Sequence, residues 1–236
     1  MRSKNEPADW RVFSEVNVEN KIAAIFVHGE FERSIKILDL LSEAELIVAV
    51  DGGLNHLTKL GVTPHIIIGD LDSVDREKLS YFEYIGVGIT KFPEKKDQTD
   101  LELALQFVVE SGFEKIYLLG ATGGRIDHFL GNLYLCSNPK FADKEIKLLS
   151  KNNELFVCKQ NQQIYGQPGD LISLIPISEQ VKGIKTQGLE YPLKNEDLNR
   201  WEARGISNLM VEETAKIHFQ SGVLLCVHYF KSETKK

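Results

Sequence analysis

The chain changes rhythm partway along its length, and that change limits its architecture more than any other feature. From Ile22 to about Lys140, short apolar runs alternate with segments of helical spacing. Ile22–Val27, Glu45–Val50, His65–Ile68, Gly86–Thr90 and Ile116–Leu119 read as strands, while Ser34–Leu41, Leu54–Leu60, Asp75–Tyr84 and Asp100–Val109 read as helices. Apolar strands separated by single helices predict crossover units on a mainly parallel sheet. After about Glu145 the helical spacing stops. Ile146–Leu149, Leu155–Cys158, Leu171–Ile175, Ala215–Phe219 and Val223–Tyr229 are strand-like, with turn signals such as Pro168-Gly-Asp170 and Ser221-Gly222 between them. That pattern predicts an antiparallel β-sandwich. The expected layout is a polar, aperiodic extension over 1–20, an α/β domain of Rossmann-like type over 21–145, and an all-β sandwich domain over 146–236.

Composition narrows the function classes. The formal net charge of -6 argues against bulk electrostatic attraction to nucleic acid or anionic lipid, so neither is expected as a partner. An anionic ligand would need local cations or a metal. Cys136, Cys158 and Cys226 are widely spaced and form no C-x-x-C pair, which fits neither a disulfide framework nor a zinc site. The N-terminus shows no apolar signal region, and Ile22–Val27 is far too short to span a bilayer. A cytoplasmic location is the expectation.

The densest chemistry lies in Gly120-Ala-Thr-Gly-Gly-Arg-Ile-Asp-His-Phe-Leu-Gly-Asn-Leu133, directly after the strand-like Lys115–Leu119. Phe129, Leu130, Leu133 and Tyr134 then recur at helical spacing. Glycines in a strand-to-helix turn permit positive φ and close backbone approach. The amides of the following helix N-terminus favour an anion. Arg125 adds a planar cation, Asp127 an acid and His128 a titratable ring. The alternative is an ordinary α/β connection in which Asp127 merely favours the positive end of its helix.

Acidic residues gather at expected strand ends and helix starts: Asp51, Asp70, Asp72, Asp97 and Asp100. Alternate residues of a strand share a face, so Asp70-x-Asp72 is expected to place two carboxylates together. Their mutual repulsion is relieved by a hard cation, and Mg²⁺ is the usual one where carboxylates meet phosphates. Taken alone, Asp97-Gln-Thr-Asp100 reads first as a helix start, because Thr99 and Glu102 form a capping box. Asp51-Gly-Gly53 also reads as a turn. Together with the glycine loop, these clusters point to metal-assisted phosphoryl chemistry.

Six motifs occur in an order that resembles the thiamin pyrophosphokinases. They are Asp51-Gly-Gly-Leu-Asn55, Gly69-Asp-Leu-Asp-Ser73, Asp97-Gln-Thr-Asp100, Gly120–His128 with Asn132, Gly188-Leu-Glu-Tyr-Pro-Leu193, and Gly205-Ile-Ser-Asn208. The resemblance runs from about Ile22 to Tyr229. It departs from the family pattern at Leu71, where Phe is usual, and carries Tyr191 where Trp or Tyr is found.

The resemblance implies transfer of diphosphate from ATP to thiamin with Mg²⁺, giving thiamin diphosphate and AMP. It implies an ATP-binding catalytic domain, a thiamin-binding sandwich, and a homodimer whose active sites are shared between subunits. Carried over residue by residue, it makes Asp70, Asp72, Asp97 and Asp100 metal ligands or near neighbours. Asp70, Asp72, Asp100 and Arg125 become the catalytic set. Asp51, Gly52, Gly53, Asn55, Thr122, Gly123, Gly124, Arg125, Asp127, His128 and Asn132 surround the nucleotide. Tyr191 offers its ring to the thiazolium, and Ser207 and Asn208 bond the aminopyrimidine or fix the loop beside it. Two alternatives stay open: another Mg²⁺-dependent pyrophosphokinase acting on a pterin or other alcohol, and a non-catalytic sensor of thiamin diphosphate or nucleotide.

Overall fold

The computed structural model describes residues 21–72, 74–92 and 97–231, so the expected extension over 1–20 lies outside the described residues. The chain divides into two compact units, one ending at Lys151 and the other beginning at Asn152.

In the first unit the strands are β1 (Ile22–Phe26), β2 (Leu46–Val50), β3 (Ile66–Gly69), β4 (Gly88–Lys91), β5 (Lys115–Leu119) and β6 (Glu145–Leu149). They pair in parallel in the order β6-β5-β1-β2-β3-β4. Between them run α1 (Ile35–Glu43), α2 (Leu54–Leu60), α3 (Arg76–Tyr84), α4 (Asp100–Glu110) and α5 (Ile126–Cys136). All of β2, Leu-Ile-Val-Ala-Val, is buried, as expected of a central parallel strand covered on both faces. The starts of α1, α3 and α4 are capped by side chains. Ser34 accepts from the Ile37 amide, Asp75 from Glu77, and Thr99 from Glu102, the last being the expected cap.

The order of pairing matters for function. The chain steps outward from β1 to β4 and then returns to β5 on the other side of β1. Where connections diverge in this way, the loops at the carboxyl ends separate and leave a crevice.

One boundary differs from the sequence expectation. The run Ile146–Leu149, expected to open the second domain, is part of β6 and pairs in parallel with β5 from Lys115↔Glu145 to Leu119↔Leu149. An apolar run shows that a strand is buried, but not which neighbour it will join.

The second unit holds β7 (Asn153–Val157), β8 (Asn161–Tyr165), β9 (Leu171–Pro176), β10 (Gln180–Gln187), β11 (Lys194–Asn199), β12 (Asn208–Leu209), β13 (Thr214–His218) and β14 (Leu224–Tyr229). All of its pairings are antiparallel, in the orders β12-β9-β14-β7 and β11-β10-β13-β8. Ile172, Leu174, Leu224 and Cys226 of one sheet share a core with Ile164, Val181, Ile184 and Ile217 of the other. The strands β8, β10, β11 and β12 were not expected from the sequence, β8 and β11 being the edges of their sheet. Asn-Gln-Gln-Ile-Tyr and Lys-Asn-Glu-Asp-Leu-Asn each bury one side chain, Ile164 or Leu198, which is too little to leave a period.

A buried polar cluster ties this unit's last strand in place. His228 is 1% exposed, with Nδ1 3.2 Å from Glu154 Oε1 and Nε2 2.9 Å from Asp170 Oδ2. Asp170 also accepts from the amides of Gln167 and Lys231, and Phe230 stands edge-on to the imidazole. The three cysteines are buried and in no disulfide, and burial pushes the Cys136 thiol up to about 12. Among the described residues, no helix is long and apolar enough to cross a membrane.

Candidate active site

In the first unit a cleft of about 1000 Å³ opens where the chain leaves β1, β2 and β5, beside the point of divergence between β1 and β5. Its floor is the glycine loop. Gly120 has φ of 68° and sits so close to β1 that a Cβ there would lie 2.4 Å from the Val27 carbonyl oxygen. Gly29 donates its amide to Gly120 O at 2.7 Å and Glu30 donates to Thr122 O at 3.1 Å. The loop after β1 is thereby laced to the loop after β5. Gly123 and Gly124 follow with φ of 77° and 66°, a left-handed pair that only glycine adopts without strain. From α5, Asn132 Nδ2 reaches back to the Ala121 carbonyl at 3.1 Å and anchors the loop.

Arg125 stands at the N-cap of α5 with its side chain exposed and its guanidinium paired. Nε and Nη2 donate to the two carboxylate oxygens of Asp127 at 3.1 and 2.6 Å. That pairing holds the Asp127 carboxyl well below the usual range, at about 2. Asp127 therefore aims the Arg125 fork, a role distinct from simple complementation of the helix dipole.

The acidic ends of β2 and β3 are joined differently from expectation. Asp70 and Asp72 lie beyond β3, in a turn where the buried Leu71 has φ of 61°, so strand alternation does not apply to them. Asp70 Oδ1 instead accepts from the Asp72 amide at 3.2 Å. Asp51, itself at φ 44°, accepts from the Leu71 amide at 3.3 Å. The Asp51 side chain fills the space beside Gly69, where an added Cβ would fall 1.7 Å from Oδ1. Two non-glycine residues in left-handed conformation at adjacent strand ends mark backbone held in place at a cost, a feature that gathers at functional sites.

Asp51, Asp100, Gly123, Gly124, Arg125, Asp127, His128 and Asn132 line the cleft, whereas Asp70, Asp72, Asp97, Gly52, Gly53, Asn55 and Thr122 fall outside its lining. Gly52 and Gly53 serve close packing instead. A Cβ would meet His28 Nδ1 at 1.9 Å from Gly52, and the Phe26 carbonyl oxygen at 2.0 Å from Gly53. Asn55 accepts from Lys78 Nζ at 3.5 Å. Among the described residues, no group of three or more His, Cys, Asp or Glu side chains is gathered closely enough to hold a metal ion. The donors near the cleft are nonetheless carboxylate oxygens, the hard ligands that Mg²⁺ takes one or two at a time, with waters and phosphates supplying the rest.

Sequence reasoning missed the loop after β1. His28, Gly29 and Glu30 line the cleft, and Glu30 Oε1 accepts from the Gly124 amide at 3.2 Å. The usable signal was position, since His28-Gly-Glu30 follows a parallel strand just as the glycine loop does. His56 supports this loop. Its Nε2 is 2.9 Å from Gly29 O, its ring lies 5.1 Å from that of Phe31, and burial lowers its pKa. The neutral ring with its proton on Nε2 donates to that carbonyl.

In the second unit Tyr191 is 67% exposed. Asn208 clamps its backbone, accepting from the Tyr191 amide at 3.0 Å and donating to its carbonyl at 2.7 Å. Ser207 has φ of 58° and donates its amide to Ser173 Oγ at 3.0 Å. Of the two roles open to Asn208, its amide group is engaged in fixing the loop.

Comparison with known proteins places the chain in a family. The family profile "Thiamin pyrophosphokinase, catalytic domain" matches residues 37–148, and "Thiamin pyrophosphokinase, vitamin B1 binding domain" matches residues 157–224. The thiamine pyrophosphokinase of Bacillus subtilis (strain 168) is 30% identical over 187 residues, covering 78% of this chain and 87% of the relative. Thiamine pyrophosphokinase 1 of Arabidopsis thaliana is 26% identical over 244 residues, covering 92% and 90%. The crystal structure of the Bacillus subtilis protein superposes with a TM-score of 0.78 at 28% identity, over 90% of this chain and all of that one. The yeast thiamin pyrophosphokinase structure, at 19% identity and a TM-score of 0.74, shares the fold over 93% of this chain and 89% of its own. With both profiles matched in order and relatives covered over most of their length, the chain belongs to the thiamin pyrophosphokinase family.

Proposed function

We propose that this chain transfers the diphosphate of ATP to the hydroxyl of thiamin, giving thiamin diphosphate and AMP. The observation that carries this reading is the cleft at the β1/β5 divergence, where the left-handed Gly123–Gly124 pair and Arg125 stand beside Asp51 and Asp100. The amides and the guanidinium suit phosphate oxygens, and the carboxylates suit the cation that a polyphosphate brings with it.

Asp70, Asp72, Asp97 and Asp100 are the residues we assign to hold Mg²⁺, with Asp51 setting the turn that presents the first two. A bound Mg²⁺ supplies charge neutralisation for the phosphates and orients them. Arg125, aimed by Asp127, binds phosphate oxygens and stabilises charge that develops as the β-phosphorus is attacked. His128 faces the cleft, and Asn132 keeps the glycine loop in shape for the nucleotide. An aspartate accepts the proton of the attacking hydroxyl. The exposed ring of Tyr191, on a backbone clamped by Asn208, offers a π-face to the cationic thiazolium.

The finer architecture belongs to the same reading: a Rossmann-like first domain, a β-sandwich second domain, and a homodimer in which each site draws phosphate groups from one subunit and Tyr191 from the other. Support for association comes from α5, whose Ile126, Leu130 and Tyr134 form a row at four-residue spacing and are 75%, 43% and 58% exposed. A cytoplasmic enzyme fits this reading.

The test is AMP release from ATP across a panel of alcohols that includes thiamin and a hydroxymethyl pterin, with and without Mg²⁺. AMP formed stoichiometrically with thiamin diphosphate, only with the metal present, is the expected result. Transfer to another alcohol would move the substrate assignment. Binding without turnover would make the chain a sensor.

A further inference from the structure

The glycine loop offers two sources of positive potential, the Gly124 amide and the Arg125 guanidinium, and each is already met by a carboxylate from this chain. Asp127 holds Arg125. Glu30 holds the amide, with Oε1 3.2 Å from Gly124 N. The Glu30 side chain also lies across the neighbouring glycine, since a Cβ on Gly123 would come within 2.5 Å of its Cδ and Oε2. The carboxylate therefore sits over the left-handed pair, where a phosphate oxygen would approach. We propose that Glu30 is an internal stand-in for substrate phosphate, occupying the cradle in the free protein and giving way when the polyphosphate enters. This rests on the nucleotide reading above.

Three physical points favour displacement over coexistence. A carboxylate and a phosphate cannot both accept from one amide without a steep repulsion at contact distance. The loop does not depend on the carboxylate for its position, because Gly29 N to Gly120 O and Glu30 N to Thr122 O already lace the backbones together. Glu30 is exposed, so its side chain has solvent to swing into. The consequence is a preformed cradle whose affinity is reduced by its own counter-charge. Weak monoanions compete poorly for it, while a polyphosphate with several contacts and its own cation displaces the carboxylate.

The discriminating variant is Glu30→Gln, which keeps the shape and an acceptor for the Gly124 amide while removing the charge. Calorimetric titration of the full chain with Mg·AMP-PNP, and separately with magnesium pyrophosphate, is expected to give binding about three- to tenfold tighter than wild type, the range by which a hydrogen bond to a charged acceptor outweighs one to a neutral acceptor. The KM for ATP should fall in parallel while the KM for thiamin stays put, a split that a loosened fold would not produce. Glu30→Ala, checked for an unchanged melting temperature, should bind at least as tightly as wild type. Equal or weaker binding by Glu30→Gln, in a protein whose wild type binds both probes and releases AMP, overturns the stand-in and leaves the nucleotide reading intact. Wild-type protein that binds neither probe and releases no AMP overturns both.

Discussion

At the residue scale, the chemistry of the cleft depends on side chains holding one another before any ligand arrives. Arg125 is the clearest case, since both oxygens of Asp127 fix the plane of its guanidinium. Arg125→Ala is expected to lower kcat/KM by a factor corresponding to about 2–4 kcal/mol of transition-state stabilisation, the range for removing one donor at a developing anion. Arg125→Lys should recover only part of that loss, because an ammonium cannot reproduce the planar fork or the bidentate grip of Asp127. Steady-state kinetics on the two variants checks this, and full recovery by lysine would reduce Arg125 to a general positive charge. With the Asp127 carboxyl at about 2, the ion pair is intact throughout the neutral range and is lost only in strong acid.

At the element scale, the last strand of the second unit is pinned by its polar residue as well as by its apolar ones. β14 pairs with both β7 and β9, and His228 sits opposite Glu154 in the first pairing. The imidazole lies between two buried carboxylates, with Nδ1 3.2 Å from Glu154 and Nε2 2.9 Å from Asp170. His228→Ala would leave the buried Glu154 and Asp170 carboxylates without that partner, and is expected to cost about 1–3 kcal/mol, as for removing one side of a buried hydrogen-bonded pair. Urea unfolding of the two proteins measures it, and a loss below about 1 kcal/mol would mean that the cluster contributes no more than an exposed pair. Burial alone would raise the Asp170 pKa, but the amides of Lys231 and Gln167, with His228, outweigh it and bring the net value down. A depressed carboxyl contributes stability above its ordinary value of 3.8, and that contribution is lost as pH falls through the folded-state value. Acid unfolding should therefore set in at higher pH when His228 is removed.

At the scale of the whole molecule, the residues assigned to phosphate lie in the first unit, and those assigned to thiamin lie in the second. The shared-site homodimer proposed above makes a genetic prediction. Asp72→Asn and Tyr191→Ala homodimers should each retain little activity. A heterodimer of the two should regain about half of the wild-type turnover per dimer, because both defects fall in one site and leave the other intact. Tagged, co-expressed subunits purified through both tags would show it. Mixed dimers no more active than either parent would mean that each chain works alone.

The α/β rhythm, the helix cap at Thr99 and the glycine loop were legible because each is a local matter of period or turn chemistry. The family motifs were legible for the same reason, being contiguous. Other features depended on which parts of the chain meet. The edge strands β8 and β11 bury too few side chains to leave a pattern, and β6 reads as a strand without revealing that β5 is its neighbour. The left-handed turn at Leu71, which takes Asp70 and Asp72 off the strand, is bonded to Asp51 from the adjacent strand end. Glu30 precedes Gly124 by 94 positions, and no sequence period connects them. The sequence by itself determined the helices, the apolar strands and the chemistry they carry, because propensity and periodicity act over a few residues. The parallel sheet decided which of those residues share a cleft, because the carboxyl ends of β1, β2 and β5 come together only once the strands have paired.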